Sequence, residues 1–299
     1  MNRFLLLTFC LLLLYASRAE EDSTAVFARR KKAFAITSSA LTTGSLFYLN
    51  AAWYSDYNTG KFHFFQDADE WQQMDKAGHF FTTYQMARLM MGSMQNCRFE
   101  ERKAFWWGGL IGFGYMAAIE VMDGFSKGWG FSTSDMLANV AGTSLAMLQQ
   151  HVWHHQKLLL KYSYYKSGLA NYNPNLLGDA PMTQILKDYN GQKYWLTVSP
   201  FAFSEKYKKW RWMCISLGYG AKGMINATVN TKPVFDNAGN LMVFERYRVG
   251  YLSVDIDLSS LPVKKPWLKK TLSMLNMLKV PFPAVSFSRF GTKFNPFLY

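Results

Sequence analysis

Three short segments hold residues able to do chemistry. Asp75, Lys76 and His79 form the first, Glu120 and Asp123 the second, and Ser132, Asp135 and Asn139 the third. On a helix, residues three or four apart share a face, so Asp75 pairs with His79 and Glu120 with Asp123. Gly142 continues the third set down the same side. These groups sit in otherwise apolar surroundings, where burying each one costs several kcal/mol unless it finds a partner. They are therefore expected to converge across three helices. An imidazole among carboxylates suits zinc, manganese or iron, so His79, Glu120, Asp123 and Asp135 are candidate ligands for a divalent metal. The same four are candidates for acid–base catalysis, with His79 as the group that titrates near neutrality. The plainer alternative is a structural polar network of Asp75, Lys76, His79, Glu120, Asp123, Ser132, Asp135 and Asn139 tying the helices together. Ser132-x-x-Asp135 also reads as a helix-capping box with Asp in the usual Glu position. Lys76 would pair with Asp75 or Glu120.

Other chemistry-bearing patterns are weaker. His151, His154 and His155 fall on adjacent turns near a helix end, where imidazoles also meet the helix dipole. Gly218-Tyr219-Gly220-Ala221-Lys222-Gly223 spells G-x-G-x-x-G, but the nucleotide fingerprint needs a helix next, and residues 224–230 alternate like a strand. A glycine-rich hairpin is expected there, without nucleotide. No Gly-x-Ser-x-Gly, Walker loop or His-Glu-x-x-His occurs. Cys97 and Cys214 could pair in an oxidising compartment, though their spacing implies no disulfide framework or metal site.

The elements that must position these groups are helices first and strands second. Residues 33–54, 76–94, 104–122 and 132–153 read as four helices, the first preceded by Arg29-Arg30-Lys31-Lys32. The first and third are long enough to cross a bilayer. Gly108 and Gly112, and Ala138, Gly142 and Ala146, form small-residue stripes that let helix backbones approach closely. Trp53, Trp106, Trp107, Trp129 and Trp153 lie near helix ends, as an aromatic belt would. A soluble bundle with the same stripes turned inward is the alternative, and the mean hydropathy of −0.10 is low for a protein of many spans. Residues 162–192, rich in Tyr, Asn, Gly and Pro, read as a linker. Beyond them the period becomes two. Leu252, Val254, Ile256 and Leu258 alternate with Ser253, Asp255 and Asp257, giving a strand with one buried face. Residues 195–203, 212–219, 225–229 and 284–290 suggest further strands. Residues 267–278 form a short amphipathic helix whose neighbouring Lys264, Lys265, Lys269 and Lys270 could touch lipid headgroups. The terminal Phe297-Leu298-Tyr299 is like the closing aromatic of an outer-membrane barrel, but about five strands are too few to close one.

Composition agrees with a folded chain. Of 299 residues, 49% are hydrophobic and 18% charged, which leaves ample apolar surface to offset chain entropy. The net charge of +13 is confined to residues 151–299, because residues 1–150 hold 13 basic and 13 acidic residues. Residues 1–19 have the plan of a cleaved signal peptide: Arg3, an apolar run over 4–15, and small Ser17 and Ala19. An exported chain seldom meets nucleic acid, so anionic lipid headgroups are the more natural counterions. The expected organisation is a signal peptide at 1–19, a helical bundle at 20–158, a linker at 159–192 and a basic β-rich module at 193–299. The fold class is α+β: a four-helix bundle, membrane-embedded or soluble, followed by a small antiparallel β-rich module.

Taken together, Asp75-Lys76-Ala77-Gly78-His79, Glu120-Val121-Met122-Asp123 and the Ser132–Gly142 run resemble domain of unknown function 2279. That is the YfiM-like family of predicted periplasmic lipoproteins. The order DK-x-x-H, E-x-x-D, S-x-x-D-x-x-x-N-x-x-G is more distantly similar to the VanZ-like membrane proteins linked to glycopeptide-antibiotic resistance. The resemblance covers about residues 70–150. The second half, with Leu217-Gly218-Tyr219-Gly220 and residues 252–258, resembles the longer Bacteroidetes-type members. The chain departs from the lipoprotein label where bulky Phe9 precedes Cys10, since acylation wants a small residue there. The resemblance implies a fold and a compartment rather than a reaction. The expectation is an exported, membrane-associated protein of the periplasm or outer membrane of a Gram-negative bacterium, non-catalytic and serving envelope structure or maintenance. The alternative is an envelope enzyme acting on lipid-linked or phosphorylated substrates through its His/carboxylate cluster.

Overall fold

The computed structural model describes residues 24–49, 60–230, 234–235 and 241–298. The expected signal peptide, Cys10 and the last residues of the first expected helix lie outside the described residues. The chain forms two compact units that interleave in sequence. A helical unit takes Met1–Gln66, Thr82–His154 and Pro262–Leu275; a sheet unit takes Asp67–Phe81, His155–Leu261 and Asn276–Tyr299. Helices and an antiparallel six-stranded sheet make the protein α+β.

In the helical unit, α1 (Thr24–Leu49) begins earlier than the apolar run suggested, so Arg29–Lys32 lie within it. Short cation–aromatic contacts hold this basic run, with Lys31 Nζ 5.4 Å from the Phe99 ring centre. Residues 82–96 of α2 (Met74–Asn96), α3 (Glu101–Phe125) and α4 (Thr133–Trp153) complete the main layer. The small-residue stripe on α3 explains how closely α2 and α3 pack. A Cβ at Gly108 would lie 2.6 Å from Met91 Cα, and one at Gly112 would lie 2.7 Å from Met86 Cβ. Between α3 and α4, β1 (Phe64–Phe65) pairs in parallel with β2 (Phe131–Ser132). Phe62, Phe64, Phe125 and Phe131 stack edge to face around that pair. Helix α3 is long and apolar enough to cross a membrane.

The sheet unit differs from the linear plan in several places. Residues 159–192 are no plain linker: they carry β3 (Leu158–Tyr164) and the short helices α5 (Pro174–Leu177) and α6 (Pro181–Lys187). Next come β4 (Gln192–Val198), β5 (Met213–Lys222), the two-residue pair β6 (Val234–Phe235) and β7 (Leu241–Met242), and β8 (Tyr247–Ile256). The short helix α7 (Pro266–Leu275) belongs to the helical unit, where Arg88 Nη1 donates to the Ser273 carbonyl at 3.1 Å. The chain then returns through β9 (Phe282–Ser288) and β10 (Gly291–Leu298). The large sheet runs β10-β9-β8-β5-β4-β3, antiparallel throughout. Residues 225–229 form no strand, because Ile225 and Asn226 are held instead by the side chains of Asn230, Asn173 and Arg246.

The alternation at 252–258 marks a two-faced strand, but the buried face is the polar one. Ser253 and Asp255 are buried while Leu252 and Val254 are exposed. The same inversion holds on β5, where Cys214 and Ser216 are buried and Ile215 and Leu217 are exposed, and on β4, where Thr197 is buried and Leu196 exposed. The polar face is tightly bonded. Lys161 Nζ lies 3.1 Å from Asp255 Oδ2 and donates to the Ile256 carbonyl at 2.6 Å. Lys279 Nζ lies 3.7 Å from Asp255 Oδ1 and donates to the Val254 and Val280 carbonyls. Thr197 Oγ1 and Ser216 Oγ lie 2.6 Å apart, and both lie within hydrogen-bond distance of Asp255 Oδ2, at 3.2 and 3.1 Å.

Candidate functional site

The first motif lies in the sheet unit. Before α2 the chain makes a tight turn in which Trp71, Gln72 and Gln73 all have positive φ, at 47°, 53° and 60°. Left-handed backbone costs a non-glycine residue about 1–2 kcal/mol, so neighbours must hold these three in place. They do: Trp71 N donates to the Ala227 carbonyl at 2.7 Å, and Gln73 Nε2 to the Ala68 carbonyl at 2.8 Å. The Tyr219 hydroxyl donates to the Gln72 carbonyl and Arg248 to the Gln73 side chain. This turn aims the first turn of α2 over the strands. Gly78 leaves room for the Tyr194 hydroxyl there, since a Cβ would lie 2.9 Å from it.

On that turn Asp75 is the centre of a small network. The Tyr189 hydroxyl donates to Asp75 Oδ1 at 2.5 Å, Lys76 Nζ donates to Oδ2 at 3.2 Å, and His79 Nε2 lies 3.8 Å from Oδ1. Burial alone would raise the Asp75 pKa, but His79, Lys76 and the Tyr189 hydroxyl outweigh it and hold the carboxyl below its usual range. Lys76 Nζ also pairs with Asp67 Oδ2 at 2.7 Å. Asp67 and Tyr189 were not singled out from the sequence. Tyr189 stands 114 residues from its partner, and nothing local in the chain announces the contact.

The second and third motifs lie in the helical unit. Ser132 is the N-cap of α4, and its hydroxyl accepts from Asp135 N at 3.0 Å. That is half of the expected capping box. The other half is supplied by a different residue, because Ser132 N donates to Glu120 Oε2 at 3.3 Å. Glu120 therefore links the end of α3 to the start of α4. Asp135, Asn139, Gly142, Thr143, Ala146 and Gln149 form one buried stripe along α4. Asp123 sits a turn beyond Glu120, half-buried, its backbone carbonyl accepting from Ser126 N at 3.0 Å. By position in the chain, Asp75, Lys76 and His79 belong to the sheet unit, and Glu120, Asp123, Ser132, Asp135 and Asn139 to the helical unit.

Among the remaining candidates, His154 is the left-handed C-cap of α4 (φ 57°), and its Nδ1 lies 3.8 Å from Glu101 Oε1 on an exposed surface. Cys97 and Cys214 are both buried free thiols, and burial pushes Cys214 up to about 12. The buried Lys161–Asp255–Lys279 group escaped sequence reading altogether, since Asp255 fell on the side of its strand that alternation assigns to solvent.

No curated protein and no solved structure matches the chain. A family model described as "Predicted periplasmic lipoprotein" matches residues 63–151. That match spans both polar groupings, from the strained turn before α2 to the end of the α4 stripe. Residues 63–151, under a third of the chain, accordingly match domain of unknown function 2279, and the chain is an exported, envelope-associated protein.

Proposed function

We propose that the protein is a non-catalytic structural component of the envelope, in which the motif residues serve as struts rather than as reagents. The observation that supports this most is the bonding of Asp75, whose two oxygens face Tyr189, Lys76 and His79 at once. A carboxylate engaged on both oxygens holds the start of α2 in place. The Glu120–Ser132 bond has the same character, joining helix ends through a backbone N–H. Membrane contact belongs to the same proposal. Exposed Trp267 with Lys264, Lys265 and Lys269 at the start of α7 gives one basic, aromatic surface suited to anionic headgroups.

A second reading, an envelope enzyme acting on lipid-linked or phosphorylated substrates, is favoured by the Asp75–His79 pair, since a carboxylate beside an imidazole is the usual orienting arrangement for a general base. Metal analysis of the purified full chain separates the two. The structural reading expects no stoichiometric zinc, manganese or iron, and a His79→Ala variant that differs from the parent in thermal stability alone. Stoichiometric metal in the parent that disappears in His79→Ala would favour the enzyme.

A further inference from the structure

We infer that the outward face of the six-stranded sheet is a lipid-facing surface, seated face-down on the acyl chains of one leaflet and ringed by a basic, aromatic loop at headgroup level. The inference rests on the envelope location of the protein and is independent of whether His79 does chemistry.

Around Asp255 the sheet is inverted relative to a sheet in water. Antiparallel sheets of water-soluble proteins bury their apolar face and leave the polar one wet. Here Asp255 is 4% exposed and Lys161 0%, whereas Leu217 is 59% exposed and Val254 53%. Burying a lysine–aspartate–lysine group is costly, and the chain does so while leaving Leu196, Leu217, Leu252 and Val254 exposed on the other face. Polar-in, apolar-out alternation is the pattern of strands that meet lipid.

From β4 to β10 the exposed and half-buried residues of this face are continuous. Register places Leu196, Leu217, Leu252, Val285 and Phe294 side by side on consecutive strands. One rung along, Val198, Ile215 and Val254 repeat the pattern, and Met213 with Ile256 add a third. Three rungs separated by two residues each give an apolar band about 13 Å high, at about 3.3 Å per residue. That is well short of the roughly 30 Å hydrocarbon core. The sheet also has an edge strand, β10, and open edges are not tolerated inside hydrocarbon. Both facts favour a sheet lying in the interface over one crossing the bilayer.

The loop joining β4 to β5 supplies the ring. Residues 199–212 hold Phe201, Phe203, Tyr207, Trp210 and Trp212 among Lys206, Lys208, Lys209 and Arg211. Phe203, Tyr207 and Trp210 are exposed, with Lys209 Nζ 5.4 Å from the Trp210 ring centre and Lys157 Nζ 4.7 Å from that of Phe203. Indole and phenol rings with lysines are the residues that settle at a membrane interface. At the far end of the strands, Phe290 and Tyr247 stack edge to face beneath Arg289. Charge also decides against a second copy as the occupant. Residues 151–299 carry the whole +13, so two such faces would repel each other while an anionic leaflet attracts each of them.

Flotation of the full chain with phosphatidylethanolamine/phosphatidylglycerol vesicles tests this. The parent should float, and a Leu217→Glu/Leu252→Glu variant should lose binding by on the order of tenfold or more. Replacing Lys206, Lys208 and Lys209 with Gln should weaken binding to anionic vesicles by a comparable factor at low salt and leave binding to phosphatidylcholine vesicles unchanged. Should the double Glu variant misfold, lipids brominated near the headgroup end of the acyl chain give a second readout. The fluorescence lost on Trp210→Phe should be the component those bromines quench. A folded Leu217→Glu/Leu252→Glu variant that floats like the parent would overturn the proposal, as would unquenched Trp210. A lipid-free dimer in sedimentation that Leu217→Glu dissolves would overturn it in favour of a second copy. Metal content has no part in any of these outcomes, so the enzyme and structural readings stand or fall separately.

Discussion

The two units bury polar groups in opposite ways. In the helical unit, Glu120, Ser132 and Asp135 are joined largely through backbone N–H groups at helix ends, so each bond satisfies a donor that the helix geometry leaves over. In the sheet unit, Lys161, Asp255 and Lys279 form a full ionic group with one carboxylate between two ammonium groups, and Thr197 and Ser216 complete it. The helical cluster connects residues 3 and 12 positions apart, whereas Lys161 meets residues about 95 positions away. Helix caps use polarity to start and stop local structure. The ionic group uses it to hold distant strands in one register, at the cost of desolvating charge. Removing a partner should therefore be far more damaging in the sheet unit.

The largest effect is expected for Asp255→Ala. Both buried lysines then face no carboxylate at that position, and breaking a buried pair from one side costs about 3–5 kcal/mol. A large drop in the urea midpoint, or failure to fold, is the expected outcome. A midpoint within the error of the parent would show that the lysines are neutral or solvated and that the contrast between the units is false.

A pH titration of stability should give an intermediate effect, also belonging to the sheet unit. Burial holds Lys193 down to about 7 and Lys279 down to about 8, against an ordinary 10.5. Below pH 7 the unfolded and folded states bind the same protons at these sites. Above it the folded lysines lose protons that the unfolded chain keeps until about 10.5, so stability rises with pH across that window. Near pH 10 the slope reverses, because burial raises Tyr165 to about 12 and the unfolded chain loses phenolic protons first. Urea midpoints from pH 6.5 to 11 should therefore peak near pH 10. Lys193→Met should flatten the rising limb, and a rising limb unchanged in that variant would remove Lys193 as its source.

The smallest effect is expected in the helical unit. Ser132→Ala removes the α4 cap and should cost about 1 kcal/mol. The Glu120 contact to the Ser132 backbone N–H survives that change, which limits the loss. A loss as large as that of Asp255→Ala would erase the contrast and make the α3–α4 junction the stronger tie.

The sequence alone determined the three long helices α2 to α4 and the start of α4. Gly108 and Gly112 announced a close approach, and Ser132-x-x-Asp135 announced a helix start, because helical periodicity and capping link residues only three or four apart. The same locality made the family motif readable over residues 63–151. Half of the capping box was misassigned, since the acceptor for Ser132 N comes from Glu120, across a turn whose course the sequence does not specify. In the sheet unit, strand β8 was legible as two-faced but not in its sense. Alternation of Leu252 and Val254 with Ser253 and Asp255 is identical whichever side the fold buries. Only the pairing of Lys161 and Lys279 with Asp255 turned the polar side inward. That choice lies in contacts between residues far apart in the chain, and tertiary structure alone decided it.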